Sequence, residues 1–429
     1  MSDGVGPAPS ALVPGARVVV RTERVAHGGH VVARHDGRVV FVRHALPGET
    51  VEVVITDLGR KGAFLRADVV RVVDASPDRV DPPCRHAGVC GGCDWQHASL
   101  EAQRRLKAEV LREQLERLGG VTEVDGVPLA DAVTVSAVPG DRVGLAWRSR
   151  VRYAVDAEGR PGFRRHRSHV VEAVTSCPLV TAAVDDVGVT RRTWSGSSEI
   201  EVVASSHGER AVMVEPSGRA SGRELATLPL DVSVPGQRGR TWVREEAGGR
   251  EWRVAADGFW QVHPGAADAL VDAVRSALVP RPGERLLDLY AGVGLFAGCL
   301  ADDVGITGSV DAVEASVGAC RDARRNLHDL PHVRIHQAPV ERWLASGAVT
   351  RADLVVLDPP RSGAGTDVID RVLALAPRAI AYVACDPASL GRDVGHARSR
   401  GWRVGSVRGL DLFPMTQHLE AVALLLPPS

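Results

Sequence analysis

Residues 285–296 read RLLDLYAGVGLF, an apolar run that leads into two glycines. The pattern predicts a buried strand and a tight turn into a helix, where Gly292 and Gly294 let the backbone approach a ligand. The third position of the G-x-G-x-x-G/A fingerprint is Ala297, the looser variant. By itself, therefore, the motif indicates a nucleotide-like cofactor only weakly.

Strands and helices alternate from about residue 256 to the end of the chain. A helix, AADALVDAVRSAL (266–278), precedes the glycine turn. Four further strands follow it: SVDAVEAS (309–316), VRIHQA (333–338), ADLVVLDPP (352–360) and AIAYVACDP (379–387). WRVGSVRGLDLFP (402–414) and HLEAVALLLP (418–427) close the chain. Repeated β-α units predict a doubly wound, mostly parallel sheet that binds ligands at the carboxyl ends of its strands.

Two acidic residues end strands of this predicted sheet. Glu314 comes about twenty residues after the glycine turn, where a carboxylate can bind ribose hydroxyls; the alternative is a surface acid at a strand end. Asp358 lies in LDPPR (357–361), which is otherwise a plain strand-ending turn. The order of strand, glycine turn, acid and D-P-P resembles S-adenosylmethionine-dependent methyltransferases more than NAD enzymes. Arg361 stands where amine-methylating relatives carry a base-stacking aromatic, which argues against that chemistry.

Cys385 and Glu420 are candidates for the reactive groups. Cys385 comes directly after the fifth strand, so it lies near Asp358 if the fourth and fifth strands are neighbours. A lone cysteine is usually a small buried hydrophobe, and Cys299 and Cys320, inside predicted helices, are interpreted in that way. The position of Cys385 favours a nucleophile instead. Glu420 opens the last strand, either as a tolerated charge or as a general base.

The N-terminal half of the chain has a different pattern. Residues 10–74 alternate apolar and polar positions between turn signals, which predicts an antiparallel OB-like barrel of about five strands. Residues 75–255 are predicted to form a central β-rich domain. It includes a helix over 98–118, which could pack on the C-terminal domain, residues 256–429. Gly119 and Gly120 are predicted to end that helix.

Composition restricts the class of protein. The 429 residues are 44% hydrophobic with a net charge of −1, and no apolar run reaches membrane-span length. The N-terminus lacks a signal-peptide pattern, so a cytoplasmic location is expected. Eight arginines between Arg142 and Arg167 indicate either a solvated face or a phosphate-contacting surface.

Five motifs together resemble the RNA uracil-C5 methyltransferase family. They are GFWQVHPG (258–265), DLYAGVGLF (288–296), VVLDPPRSG (355–363), YVACDPASLGRD (382–393) and LFPMTQHLEAVALL (412–425). The N-terminal region, through DGRVVFVRHALPGETVEV (36–53), resembles a TRAM domain. With the cysteine cluster described below, the resemblance covers nearly the whole chain.

The resemblance implies roles for individual residues. Gln261, Tyr290, Glu314 and Asp358 would contact S-adenosylmethionine, Cys385 would be the nucleophile, and Glu420 the base. Three positions depart from the family. His263 and Asp386 each stand where asparagine is usual, and Leu295 stands where some members have asparagine. The departures leave the nucleophile and base in place and bear on fine positioning only.

A second group of cysteines begins in CRHAGVCGGC (84–93). Cys84, Cys90 and Cys93 lack a fourth partner, and Cys177 is the cysteine that remains once the other three are assigned. Four thiolates suit zinc or an iron–sulfur cluster, and their spacing does not decide between them. The resemblance implies a [4Fe–4S] cluster, as in the cluster-bearing branch of the family.

The sequence therefore predicts a three-part enzyme: a TRAM barrel, an iron–sulfur domain and a Rossmann-like class I methyltransferase domain. Its expected activity is formation of 5-methyluridine in a structured RNA loop, using S-adenosylmethionine, by a monomer. Barrel and cluster together favour ribosomal RNA over transfer RNA. A non-catalytic RNA-binding iron–sulfur protein is an alternative from a different class, and Cys385 with Glu420 argues against it.

Overall fold

A computed structural model describes residues 12–59, 62–141, 143–217 and 227–428. Its N-terminal part is a closed barrel in the order β1-β2-β3-β5-β4. The strands are Arg17–Val25 (β1), Val31–His35 (β2), Arg38–Arg43 (β3), Thr50–Asp57 (β4) and Leu65–Asp74 (β5). Alternate residues of these strands are buried, because successive side chains of a strand face opposite sides. The predicted five-stranded barrel is confirmed, but it is not antiparallel throughout, because β3 and β5 pair in parallel. Residues 10 and 11 of the predicted range lie outside the described ranges.

The middle of the chain forms a six-stranded sheet in the order β11-β10-β9-β12-β13-β14. Its strands are Arg150–Val155 (β9), Pro161–Arg164 (β10), Val171–Ala173 (β11), Ser197–Ala204 (β12), Arg210–Pro216 (β13) and Val232–Ser233 (β14). The helices before and within this region are Leu100–Gly119 (α1), Leu129–Ala132 (α2) and Ala182–Asp185 (α3), with a 3₁₀ turn at Val189–Arg191. Two hairpins flank the sheet in sequence: Glu123–Val124 (β6) with Val127–Pro128 (β7), and Trp242–Ala247 (β15) with Arg250–Ala255 (β16).

The C-terminal part is an eight-stranded sheet in the order β19-β18-β17-β20-β21-β23-β22-β8. The strands are Thr134–Ala137 (β8), Arg285–Leu289 (β17), Ser309–Glu314 (β18), Val333–Gln337 (β19), Leu354–Leu357 (β20), Ala379–Ala384 (β21), Arg403–Asp411 (β22) and Glu420–Leu426 (β23). The helices are Ala266–Leu278 (α4), Leu295–Val304 (α5), Val317–Asn326 (α6), Val340–Ala345 (α7), Thr366–Ala374 (α8) and Pro387–Ser399 (α9). Five adjacent strands, β19 to β21 in the sheet order, run parallel, and β23 runs antiparallel to its neighbours.

Helix α1 begins and ends where its sequence indicates. The Ser99 side chain accepts a hydrogen bond from the Ala102 amide and caps the start. Gly120 adopts the left-handed conformation that closes the last turn, at φ 61°. Leu111 and Leu115 on one face of α1 are buried in the core that β20 and β21 share with α9. This face of α1 therefore belongs to the C-terminal core, whereas Leu106 and Val110 on another face pack in a cluster with Val25 of the barrel.

Other parts of residues 75–255 also leave the middle sheet. Strand β8 pairs in parallel with β22 at the edge of the C-terminal sheet. Trp252 of the β15–β16 hairpin is fully buried beside α5, in the core on the other face of that sheet. The region predicted as one central domain is thus divided in the structure between two cores. Across the described ranges, no helix is both long and apolar enough to cross a membrane.

Candidate active site

The carboxyl ends of the parallel strands gather the predicted site residues at one edge of the sheet. Strands β17, β18, β20 and β21 are neighbours in parallel register, so the residues that follow them lie side by side. Strand β23 runs the other way, and Ala421 pairs with Ala384. That register brings Glu420, the first residue of β23, next to Cys385, the first residue after β21.

A cavity of about 710 Å³ opens at this edge. Seven residues that the sequence singled out line it: Gln261, Tyr290, Gly292, Glu314, Asp358, Cys385 and Glu420. Gly294 does not line the cavity. It instead starts α5 at φ 92°, and a Cβ there would lie 2.7 Å from Leu327 Cδ1. The cavity falls within the range of roughly 300–1,000 Å³ that is typical of ligand pockets.

Carboxylates hold the glycine turn in shape. Glu314 Oε2 accepts from the Gly292 amide at 2.9 Å, and Oε1 accepts from the Ser316 amide at 2.6 Å. Asp288 Oδ2 accepts from the Ala297 amide at 2.8 Å, and complete burial raises the pKa of Asp288 to about 7. Sequence analysis did not single out Asp288, although a carboxylate inside an apolar strand was a usable signal.

The electrostatics around Cys385 are dominated by burial and by two carboxyl groups. Burial, together with the charge of Glu420, raises the pKa of the Cys385 thiol to about 11, and the Arg361 guanidinium opposes this. Burial raises the pKa of Asp358 to about 7. Burial and the neighbouring Asp358 raise the pKa of Glu420 well above its usual range. A carboxyl group with a raised pKa is a stronger base once it is ionised.

A second cavity, of about 500 Å³, begins on the other side of Cys385. Val262, Arg361, Cys385 and Phe413 line both cavities. From these shared residues the second cavity extends along Gly91, Gly92, Trp147, Arg148, Arg152, Ala154, Phe163, Arg164, Glu199, Thr416 and His418. Cys385 is thus accessible from a cavity behind the glycine turn and from a cavity lined by arginines. Sequence analysis did not identify Phe413 or His418 individually, although both lie in a quoted motif.

Most of the predicted arginine-rich segment is ion-paired. Arg142 lies outside the described residues. Five arginines have a carboxylate within 3.8 Å: Arg150, Arg152, Arg160, Arg164 and Arg165. In the part of the chain that the structure describes, Arg148 and Arg167 have no such partner. The unpaired positive charge of this segment is therefore smaller than the arginine count suggests. Arg148, which is unpaired among the described residues, lines the second cavity.

The three departures from the family pattern have distinct surroundings. His263 is buried, stacks on Trp147 with ring centroids 6.1 Å apart, and lies 3.5 Å from Asp141. Asp386 caps α9 by accepting from the Ser389 amide at 2.8 Å. Leu295 is buried at the start of α5.

Four of the remaining cysteines lie around one small cavity. Cys84, Cys90, Cys93 and Cys177 line it, and all four are partly buried free thiols. The Gly92 amide donates to Cys90 Sγ at 3.4 Å, and the His86 amide donates to Cys84 Sγ at 3.4 Å. Within the described ranges, no three His, Cys, Asp or Glu side chains form a group that could hold a metal ion. Cys299 and Cys320 are buried in α5 and α6, as predicted.

Comparison with known proteins matches the N-terminal barrel and the end of the C-terminal part to two separate family models. Residues 13–70 match the TRAM domain family, and residues 348–427 match the tRNA (Uracil-5-)-methyltransferase family. The chain is similar in fold to the Pyrococcus abyssi tRNA (uracil-54, C5)-methyltransferase in complex with S-adenosyl-L-homocysteine. The TM-score is 0.68 at 22% identity, covering 95% of this chain and 99% of that one.

Two relatives match along nearly their whole length. An uncharacterized RNA methyltransferase of Streptomyces avermitilis is 49% identical, over 94% of this chain and 96% of the relative. The 23S rRNA (uracil(1939)-C(5))-methyltransferase RlmD of Alkalilimnicola ehrlichii is 33% identical, over 93% of this chain and 94% of the relative. With its barrel, its methyltransferase fold and these matches, the chain belongs to the RNA uracil-C5 methyltransferase family.

Proposed function

We propose that this protein forms 5-methyluridine in RNA with S-adenosylmethionine as the methyl donor. One observation carries the proposal. Glu420 lies next to Cys385 across β21 and β23, and Cys385 lines both cavities where they join. A nucleophile that borders a cofactor-sized cavity and an arginine-lined cavity, with a base beside it, suits the transfer of a group to a base of RNA.

The first cavity fits S-adenosylmethionine by the chemistry of its lining. Glu314 retains acceptor capacity for ribose hydroxyls, since each of its oxygens accepts one amide bond and has a second lone pair. Gly292 exposes backbone at the turn, and Gln261 and Tyr290 add an amide and a ring to the wall. When bound, S-adenosylmethionine supplies an electrophilic methyl group.

In the proposed reaction, Cys385 supplies the nucleophile that uracil lacks. The Cys385 thiolate would bond to C6 and move electron density to C5; C5 would then take the methyl group that S-adenosylmethionine supplies, with S-adenosylhomocysteine as the leaving group. Glu420 then accepts the C5 proton, the C6–S bond breaks, and the double bond re-forms. Arg361 favours the thiolate through its positive charge. The uracil must leave its stack to reach Cys385, as in other base-modifying enzymes.

Ribosomal RNA is the proposed substrate. The protein combines a TRAM barrel with a cysteine quartet, and a relative of 33% identity that matches nearly full-length acts on 23S rRNA. Similarity to the Pyrococcus transfer RNA enzyme, at 22% identity, concerns the fold. Transfer RNA remains the alternative substrate. Mapping 5-methyluridine in total RNA from a deletion strain would identify the target: loss from 23S rRNA supports the proposal and loss from transfer RNA contradicts it.

The cysteine quartet is proposed to hold a [4Fe–4S] cluster with a structural role. Four partly buried thiols line one cavity, and thiolates are the donors that such a cluster or zinc takes, although these side chains are not arranged as a metal-holding group among the described residues. The loop carrying Cys90 also supplies Gly91 and Gly92 to the arginine-lined cavity. A group bound there would stabilise one wall of the proposed RNA site.

The nucleophile can be tested with RNA that carries 5-fluorouridine. The base cannot remove fluorine as it removes a proton, so wild type with S-adenosylmethionine should form a stable covalent adduct. Cys385→Ser should form none, whereas Cys320→Ala, a change inside α6, should still form it. An adduct in Cys385→Ser would show that another residue attacks the base.

Glu420 can be tested with ordinary uridine. Glu420→Gln should accumulate a methylated protein–RNA adduct, because the C5 proton stays in place and Cys385 cannot be released. Free 5-methyluridine formed by Glu420→Gln at the wild-type rate would exclude Glu420 as the base.

A further inference from the structure

The loop from Leu412 to Leu419 joins β22 to β23 and leads directly into Glu420. It forms part of the wall on the RNA side of the site: Phe413 lines both cavities, and Thr416 and His418 line the arginine-lined cavity. Met415, in the middle of the loop, has a left-handed backbone at φ 68°. A non-glycine residue in that conformation needs neighbours that hold it there.

Two fully buried polar residues of α1 bind this loop. Gln103 Oε1 accepts from the Met415 amide at 2.7 Å. Lys107, one turn further along α1, donates through Nζ to Asp411 Oδ1 at 2.5 Å and to the Phe413 carbonyl at 3.0 Å. Both side chains are 0% exposed. Neither residue lines the cavities, so their polar groups serve the loop rather than a ligand.

The segment after the third clustered cysteine binds the loop from the other side. The amides of Asp94 and Trp95 both donate to the Met415 carbonyl, at 3.1 and 3.0 Å. Asp94 Oδ2 accepts from the Gln417 amide at 3.2 Å. Trp95 in turn donates through its indole nitrogen to the Gly29 carbonyl of the barrel at 3.0 Å. The loop is therefore attached to residues that are more than three hundred positions away in the sequence.

A buried ion pair contributes little net stability, because the desolvation of both charges offsets much of their attraction. Stability alone therefore does not explain why an ion pair holds this loop. Apolar replacement of both partners of such a pair is often neutral for stability, whereas removal of one partner is strongly destabilising. Lys107 and Asp411 are both buried, and Asp411 Oδ2 has no hydrogen-bond partner among the described residues. The pair nevertheless fixes one geometry, because the ammonium group also binds the Phe413 carbonyl.

We propose that Asp94, Gln103 and Lys107 are positioning residues for the RNA side of the active site. They fix the Leu412–Leu419 loop so that Phe413 and His418 shape the base-binding cavity and Glu420 meets Cys385. Of the Leu412–Leu419 loop, Phe413 lines the cofactor cavity, and most of the remaining lining of that cavity lies at the ends of other strands. Because Asp94 follows Cys93 directly, the cysteine quartet lies one peptide bond from this support.

The inference rests on the proposed uracil methylation, and its test separates cofactor binding from base attack. The variants are Asp94→Ala and the double change Lys107→Met with Asp411→Leu, which leaves no single charge buried. The matched control is Glu116→Gln, an exposed position on α1. S-adenosylhomocysteine affinity is measured by calorimetry, and adduct formation is timed on 5-fluorouridine RNA at saturating S-adenosylmethionine.

Both variants should bind S-adenosylhomocysteine within about twofold of wild type but form the adduct at least about tenfold more slowly, as expected for a misplaced reacting group. Asp94→Asn, which keeps an acceptor for the Gln417 amide, should restore much of the rate. The midpoint of thermal unfolding shows whether each variant is folded.

Adduct formation at the wild-type rate in folded Asp94→Ala and in the folded double variant would overturn the proposal. Parallel loss of S-adenosylhomocysteine affinity would also overturn it, because the contacts would then support the whole domain. If wild type and Glu116→Gln themselves form no adduct, it is the proposed methylation that fails. The two failures are therefore distinguishable.

Discussion

His27 Nε2 of the barrel lies 3.1 Å from Asp386 Oδ2, the carboxylate of the residue that follows Cys385. The same side chain of Asp386 caps α9 through the Ser389 amide. The N-terminal barrel therefore contacts the C-terminal domain at a position one peptide bond from the proposed nucleophile. The contact uses one of the residues by which this chain departs from its family.

The charge of Asp386 should stabilise the fold in a pH-dependent way. Burial raises its pKa, but hydrogen bonds from His27 and the Ser389 amide outweigh burial and lower the pKa to about 2. Because the folded pKa is below the unfolded value, the stabilisation is present above about pH 4 and is lost as pH falls toward about 2. It amounts to roughly 2 kcal/mol at neutral pH.

Urea unfolding of wild type and Asp386→Asn checks this. Asparagine keeps the helix cap and removes the charge. The wild-type advantage in free energy of unfolding should shrink as the pH falls from about 4 to about 2. In a His27→Ala background the advantage should be smaller at every pH. An advantage that does not change with pH would contradict the assigned pKa.

The reactivity of the Cys385 thiol should respond in opposite directions to its two charged neighbours. Burial and Glu420 raise its pKa to about 11, and Arg361 opposes the rise. Glu420→Gln should therefore shift the pH profile of Cys385 alkylation by iodoacetamide to lower pH, and Arg361→Met to higher pH. Peptide mass spectrometry can follow Cys385 separately from the other cysteines.

Arg408→Met, at an exposed position on β22, is the matched control and should leave the profile unchanged. Shifts of the same sign in Glu420→Gln and Arg361→Met would show that packing changes, and not charge, control the thiol.

The two glycines of the turn should respond differently to alanine. Gly292 lines the cofactor cavity at φ 56°, and a Cβ there would meet no atom of the residues that the structure describes within 4 Å. Gly292→Ala should cost about 1–2 kcal/mol of stability and weaken S-adenosylhomocysteine binding, because the methyl group enters the cavity. Gly294→Ala should lower the midpoint of thermal unfolding further, because its Cβ would lie 2.7 Å from Leu327 Cδ1. Calorimetry and thermal unfolding measure the two effects, and equal losses of stability would contradict the geometry.

The cysteine quartet should bind iron when the protein is purified without oxygen. We expect about four irons per chain with brown sulfur-to-iron absorption. Cys177→Ala should lose the absorption, and Cys320→Ala should keep it, since Cys320 is buried in α6. A single zinc per chain in the wild type would replace the cluster assignment with a zinc site.

Much of the candidate site follows from local sequence. Gly292, Glu314, Asp358 and Cys385 each come directly after, or at the end of, an apolar run, and parallel strands end at a common edge. That rule is enough to predict, from the sequence, that these four residues lie at the same edge of the sheet. Glu420 needed one more fact, the antiparallel register of β23 with β21. Strand direction is not encoded in the apolar pattern of the strand itself.

Other features of the structure could not be predicted from the local sequence pattern. Lys107 and Gln103 occupy positions in an amphipathic helix where a buried leucine would be ordinary, and their partners Asp411 and Met415 are about three hundred residues away. Strand β8 is four residues long, and so short a sequence does not indicate which of the two sheets it joins. For the arginine-rich segment the sequence left open a solvated face or a phosphate-contacting surface, and in the structure carboxylates from β12 and neighbouring turns pair with much of it.

The sequence by itself determined the barrel and the glycine turn and supplied the candidates for the reactive groups, because strand periodicity and turn chemistry act over a few residues. Tertiary structure alone decided that α1 and the Asp94 segment hold the Leu412–Leu419 loop, and that the barrel contacts Asp386 through His27. Those contacts depend on how separate elements dock. How elements dock depends on many weak packing contacts between residues that are distant in the sequence. No short stretch of sequence is therefore enough to predict it.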